Sequence, residues 1–179
     1  MREITFSAPR ALESILYASR RVLAPTMHEV LKLRYFADKL HLSRYGFTAS
    51  GDDYKAMEFG PVGSGAYDLL KAARGVRNNF IPPSYVALVA DALRVEESAD
   101  AYVIPLREAN TDYLSAAELE CLDEAIEKWG NLPFDVRTKL SHDAAYDKAW
   151  ARAENSPIQP TDIAATLQNA EDVLEYMAA

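Results

Sequence analysis

Residues 26–46 read TMHEVLKLRYFADKLHLSRYG, and this stretch sets the architecture. Thr26, followed three places later by Glu29, forms a capping box. The Thr hydroxyl takes the Glu29 backbone N–H, and the Glu carboxylate reaches back. Met27, Val30, Leu33, Ala37 and Leu40 then recur at helical spacing, and Leu31, Tyr35 and Phe36 widen the stripe. Gly46 ends the run, because glycine accepts the left-handed conformation after a helix end. So broad an apolar face predicts a helix at the centre of the core.

Working outward, Leu12, Ile15, Leu16, Ser19 and Leu23 predict a preceding helix, with Ser7 and Pro9 as start signals. The segment 52–59, DDYKAMEF, reads as a strand. Val62, Ala66, Leu69, Leu70 and Ala73 predict a helix ending at Gly75, with Pro61 in its first turn, where a missing N–H costs nothing. Tyr85, Leu88, Val89 and Ala92 favour another helix, and LRVEE and AYVIPL form two strands around a Ser98–Asp100 turn. A second capping box opens at Ser115, and Leu119, Leu122, Ile126 and Trp129 form its stripe up to Gly130. Pro133 starts a short helix carrying Val136 and Leu140. Tyr146 and Trp150 share a face of the next, and NSPIQPT is a connector. Ile163, Leu167, Ala170, Leu174 and Met177 predict one final helix. The sum is a predominantly α-helical α+β domain with one small antiparallel β-sheet or hairpin.

The 179 residues suit a single domain, and a 49% hydrophobic content supports a proper core. No apolar run approaches the ~20 residues that span a bilayer. The opening MREITFSAPRALES has acidic residues early and no long apolar run, unlike a secretory signal. A lone Cys121 permits no internal disulfide and fits a reducing cytosol, so a cytoplasmic location is expected. The net charge of −8 argues against a nucleic-acid partner, which requires cations to displace counterions. The charge is uneven, at +4 over residues 1–50 and −12 over the remainder. Such asymmetry can steer a charged protein partner.

The glycines of EFGPVGSGAYDLLK, residues 58–71, have the spacing G-x-x-x-x-G, which raises a phosphate loop. That chemistry requires Lys and Ser/Thr directly after the last glycine, and here Ala66 and Tyr67 follow Gly65. Ser141–His142–Asp143 cannot make a triad, because neighbours on a helix point about 100° apart. His142 reads as a capping or core-edge residue, and Cys121 as a partly buried small hydrophobe. His28, His41 and His142 show no paired metal-ligand spacing, and Asp52 and Asp53 face opposite ways on a strand. Neither a cofactor, a metal nor a catalytic set is expected. Two other readings stay open: a small nucleotide-binding or hydrolytic enzyme around His41, Asp52 and the glycine loop, and a DNA-binding autoregulator using Arg20, Arg21, Lys32 and Arg44.

The string LKLRYFADKLHLSRYGFTASGDDYKAMEFGPVGSGAYDLL, residues 31–70, resembles the N-terminal signature of the Panacea, or SocA-like, antitoxin domain. Tyr35, Phe36, Ala37, Asp38, His41, Leu42, Tyr45 and Gly46 match its helix. Gly51, Asp52, Tyr54, Ala56, Gly60, Pro61, Val62 and Tyr67 match the segment that follows. In the second half Leu114, Ser115, Glu118, Leu122, Asp123, Gly130, Leu140, Ser141, His142 and Trp150 take family positions. Trp129 stands where Tyr is usual, and 144–146 where a Pro–Trp type segment is common. The likeness covers about residues 10–150 and places an antitoxin domain at 1–155, with the connector and amphipathic helix of 156–179 as part of it.

The resemblance implies a bacterial antitoxin of a toxin–antitoxin system, which neutralises a cognate protein toxin by contact and without catalysis. It also implies, for some members, an adaptor role that delivers the toxin to a protease such as ClpXP. The ending MAA resembles the small apolar tags that this protease reads. The polar and aromatic matches outside the helical stripes give the expected toxin-binding face: Tyr45, Asp52, Tyr54, Gly60, Pro61, Ser64 and Tyr67.

Overall fold

A computed structural model describes residues 4–179; the first three residues of the N-terminal reading lie outside the described residues. Helix α1 (Ala8–Ser19) runs into α2 (Met27–Tyr45). Thr26 Oγ1 accepts the Glu29 N–H at 3.1 Å, and Gly46 closes α2 with φ 79°. Helix α2 is buried on nearly every side, including Lys32, Arg34 and Asp38. It packs most extensively along α5 (Ala116–Trp129), and it also meets α1, α3 (Ser64–Ala73), α6 (Phe134–Ser141), α8 (Pro160–Ala164) and α9 (Ala170–Ala178). The expected central helix is therefore the axle of the fold.

Two apolar clusters share that axle. One gathers α1, the start of α2, α3, α4 (Pro83–Val89) and the hairpin β3–β4 (Leu93–Val95 and Val103–Pro105). The other gathers the rest of α2, α5, α7 (Ala144–Trp150), α8 and α9. Ile158, Ile163, Ala164 and Val173 are buried in it, so the C-terminal segment packs on the same helices.

The class is the expected one, predominantly helical with small antiparallel sheets, and β3–β4 pairs as read. Several details differ. Pro61 lies not in a helix but in β2 (Gly60–Gly63), opposite Ala56 of β1 (Tyr54–Met57). The reason is Gly60: its φ of 100° reverses the chain after Phe59, and a Cβ there would meet Ser141 Oγ at 2.5 Å. Helix α3 accordingly starts at Ser64. The connector is also more than a linker, since 155–158 runs along the other edge of β1 through Ala56 N–H to Ser156 O and Ile158 N–H to Tyr54 O. Helix α1 stops at Ser19 and leaves Leu23 exposed. Val136 and Leu140 of α6 are exposed too, because its buried face is Arg137 and Ser141. The predicted final helix is two, broken near Asn169, whose amide reaches Ser43 O at 2.9 Å while its carbonyl accepts from Ser43 Oγ at 2.8 Å.

Candidate functional site

Most of the expected binding face turns inward. Asp38 accepts the Ser50 N–H at 2.9 Å and the Tyr54 hydroxyl at 2.6 Å, and it also takes the Ser50 hydroxyl. Burial and the neighbouring Asp38 carboxylate push the Tyr54 phenol well up. Asp52 accepts the N–H groups of Gly65 at 2.8 Å and Ala66 at 3.0 Å, with Arg34 at 3.9 Å. Burial raises its carboxyl, and Arg34 and those two N–H groups draw it back. The glycine loop therefore does hold an anion, its own Asp52, and the α3 N–H groups that a phosphate would need are taken. Tyr54, Gly60 and Pro61 are likewise buried.

Those four residues form the support of the fold rather than its surface, because strand-to-helix closure needs their side chains and tight backbone inside. Tyr45 is exposed, but it packs on His41 away from the other candidates, and His41 itself is held by Phe47 O at 2.7 Å. His41 and Asp52 thus engage different partners and assemble no site. Ser64 and Tyr67 are half-buried.

Tyr67 does line a cleft of about 520 Å³ between the start of α2, the β1–β2 turn, α6 and the loop after β3. Its mouth is aromatic. Phe59, 50% exposed, meets Phe134, 48% exposed, edge to face at 5.4 Å. His28 lies against Phe134 at 4.2 Å. Lys71 stands over Tyr67 at 4.6 Å. Glu58, Asp100 and Glu154 are exposed around the opening.

The floor is cationic. Lys32, 1% exposed, donates to Pro61 O at 2.8 Å, and burial followed by Arg137 pulls its amine down to about 7. Arg137 bonds Glu29 at 2.9 Å and Leu132 O at 2.6 Å, and its Nε has no partner. Burial raises the Glu29 carboxyl, and Arg137 opposes the rise. His28 contacts Thr138 Oγ1 at 3.1 Å, and its pKa is lowered to about 3 by burial and by the nearby Lys32 and Arg137, so the ring is neutral.

Sequence reasoning missed His28, Phe134 and Arg137 as site residues, and it noted Phe59 among the aromatics beside the glycine loop without placing it on the expected binding face. The one legible signal was Lys32, a charge between Leu31 and Leu33 in the widest apolar face of the chain. The DNA reading had used it as a surface cation, and its burial removes it from that role. The other cations of that reading face carboxylates: Arg20 meets Glu108 at 3.4 Å, Arg21 meets Asp123 at 3.7 Å, and Arg44 meets Glu120 and Glu124.

The Ser141–His142–Asp143 run is structural. Ser141 donates to Thr138 O, His142 ends α6 and stacks on Tyr146 at 4.1 Å, and Asp143 caps α7 while accepting from Tyr35 and Lys39. Cys121 is fully buried, and burial pushes its thiol up to about 11. Among the described residues no three His, Cys, Asp or Glu side chains converge as metal ligands, and no helix is long and apolar enough to cross a membrane.

Residues 30–151 match the family described as Antitoxin SocA-like, Panacea domain. The chain belongs to this family. The match runs from within α2 through α7; it contains the Asp38–Asp52 network and most of the cleft lining, while Thr26, Met27, His28 and Glu154 lie outside it. No curated protein and no solved structure matches the chain. Membership in an antitoxin family implies a protein toxin as the partner of this Panacea domain.

Proposed function

We propose that this Panacea domain is a cytoplasmic bacterial antitoxin that neutralises a cognate protein toxin by direct binding, without catalysis, and that the aromatic-rimmed cleft receives the toxin. The observation that carries the cleft is the Phe59–Phe134 pair. Two half-exposed rings from separate elements meet at the mouth of a concavity. Aromatic anchors around a pocket are what a protein hot spot requires. Of the residues expected from sequence, Tyr67 lies on this surface. Gly60 and Pro61 shape the turn that presents Phe59, and Asp52 and Tyr54 brace it from inside.

The test is co-expression with the product of the adjacent open reading frame, toxic alone and harmless with this chain. The double variant Phe59→Ser, Phe134→Ser should lose rescue while keeping its helical circular dichroism. Full rescue by the folded double variant would refute the cleft as the docking surface. If the chain protects against no such product, the antitoxin reading itself fails. Delivery to ClpXP is a separable extension: appending Asp-Asp after Ala179 should slow toxin turnover, and unchanged turnover rejects it.

A further inference from the structure

We propose that the floor of the cleft is a carboxylate-binding site, filled by an acidic side chain on an apolar segment of the protein partner that carries basic residues beside it. This rests on the reading of the cleft as the docking surface. An ammonium carries three donors. Lys32 satisfies one, at Pro61 O, and among the described residues no carboxylate lies within ion-pair reach of it. The groups that face it are His28 from its own helix, Arg137, Ser141 and His142 from α6 and its cap, and the Pro61 carbonyl from β2. None is acidic. Glu29, one turn before Lys32 on α2, is committed to Arg137 at 2.9 Å.

One more lining group is unfilled. Arg137 is 4% exposed with Nε unpartnered, whereas the His28 ring engages Thr138 Oγ1 and the Phe59 backbone. A buried cation without a counter-charge is costly to keep, and an incoming carboxylate offsets that cost. The rim decides which anion. Exposed Glu58, Asp100 and Glu154 outnumber the single rim cation, Arg74, which is engaged with Ser98 O, so the rim disfavours a multiply charged phosphate and pairs with basic residues flanking a single acidic side chain. A volume of about 520 Å³ admits such a segment, not merely one ion.

The probes are 3-phenylpropionate, its amide and phenyl phosphate, each titrated into the full chain while the His28 and Arg137 side-chain resonances are followed by NMR. The acid should saturate these shifts with a millimolar dissociation constant, as a small fragment does. The amide should not, and phenyl phosphate should bind more weakly. Because the unliganded amine titrates near 7, affinity for the acid should rise about 30-fold from pH 8.5 to pH 6, the ratio of protonated amine at the two values. Lys32→Met should erase the preference for acid over amide. Equal binding of acid and amide, or tighter binding of phenyl phosphate, overturns the proposal. The comparison of acid with amide uses the unaltered chain and so reads out even if the variant misfolds. Toxin rescue plays no part in it, so its failure is distinct from failure of the docking surface.

Discussion

Replacing Lys32 by Met should make the protein more stable at low pH and less stable at high pH. The sign follows from the amine. Its pKa falls from 10.5 to about 7 on folding, so the fold disfavours the charged form. The cost is complete below pH 7, where the amine is charged both folded and unfolded, and it is relieved as pH rises toward 10.5. At about 1.4 kcal/mol for each pH unit, the fold bears about 5 kcal/mol at pH 6 and about 1.4 kcal/mol at pH 9.5. Methionine is close in length to the lysine stem and fills much of the same space. It forfeits the bond to Pro61 O and leaves that carbonyl unsatisfied, a loss of about 2 kcal/mol.

The balance is a gain of about 3 kcal/mol at pH 6 and a loss of about 0.6 kcal/mol at pH 9.5. With a urea slope of about 2 kcal/mol/M, the midpoint should move up by about 1.5 M at pH 6 and down by about 0.3 M at pH 9.5. Urea unfolding of both proteins at the two pH values measures it. A difference between variant and parent that does not change with pH would refute the reasoning, because the amine is removed outright and the His28 and His142 rings that Lys32 holds down are relieved in the same direction. Stability surrendered at a cleft is the pattern of a group kept for binding.

Removing the internal anion of the glycine loop should be costly. Asp52→Ala loses two charge-assisted N–H bonds and strands Arg34, for about 3–4 kcal/mol and a fall of about 10 °C in Tm, whereas Asp52→Asn should cost about half as much. A fall under about 2 °C for Asp52→Ala in a thermal melt would show that the carboxylate is not what closes α3. Glu118 offers a pH test of opposite sign. Burial raises its carboxyl from 4.5 to about 7, so the stability present below pH 4.5 is lost as pH rises to 7. Glu118→Gln should therefore add up to about 3 kcal/mol at pH 8 and nothing at pH 4, read from urea midpoints at both.

The parts of the fold legible in sequence are those fixed by local rules. The Thr26 and Ser115 caps and the Gly46 stop depend on residues within a few positions of one another, and the β3–β4 hairpin on partners from Val95–Val103 out to Leu93–Pro105. What could not be read depends on distant partners. Pro61 reads as helical because helical spacing begins at Val62, directly after it. Its strand exists because Gly60 must pass over Lys32 and Ser141, which are 28 and 81 positions away. The final helix breaks with no glycine or proline to mark it, since Asn169 is bound by Ser43 on α2. Tyr176 then lies where a Cβ on Gly46 would come within 2.2 Å of it. The cleft was invisible for the same reason: Phe59, Phe134 and Lys32 are ordinary residues apart and a site only when brought together.

A motif of aromatic and acidic residues outside the helical stripes invites the reading of a surface, and here it marks an interior. Asp38, Asp52 and Tyr54 carry the family likeness, and each is consumed by hydrogen bonds inside the domain. In this chain they fix the scaffold and have no atoms left with which to choose a partner. The exposed groups beside them are under no such constraint. Phe59 is flanked by motif positions without being one, and Phe134 follows Pro133 in a segment that the motif leaves open. On the proposed reading, the buried network fixes β1 and the start of α3 against α2, and the rings mounted on the β1–β2 turn and α6 select the toxin. Substituting the rings should then change which toxin is bound while leaving the melting temperature in place, whereas substituting the network should lower the melting temperature whatever the toxin.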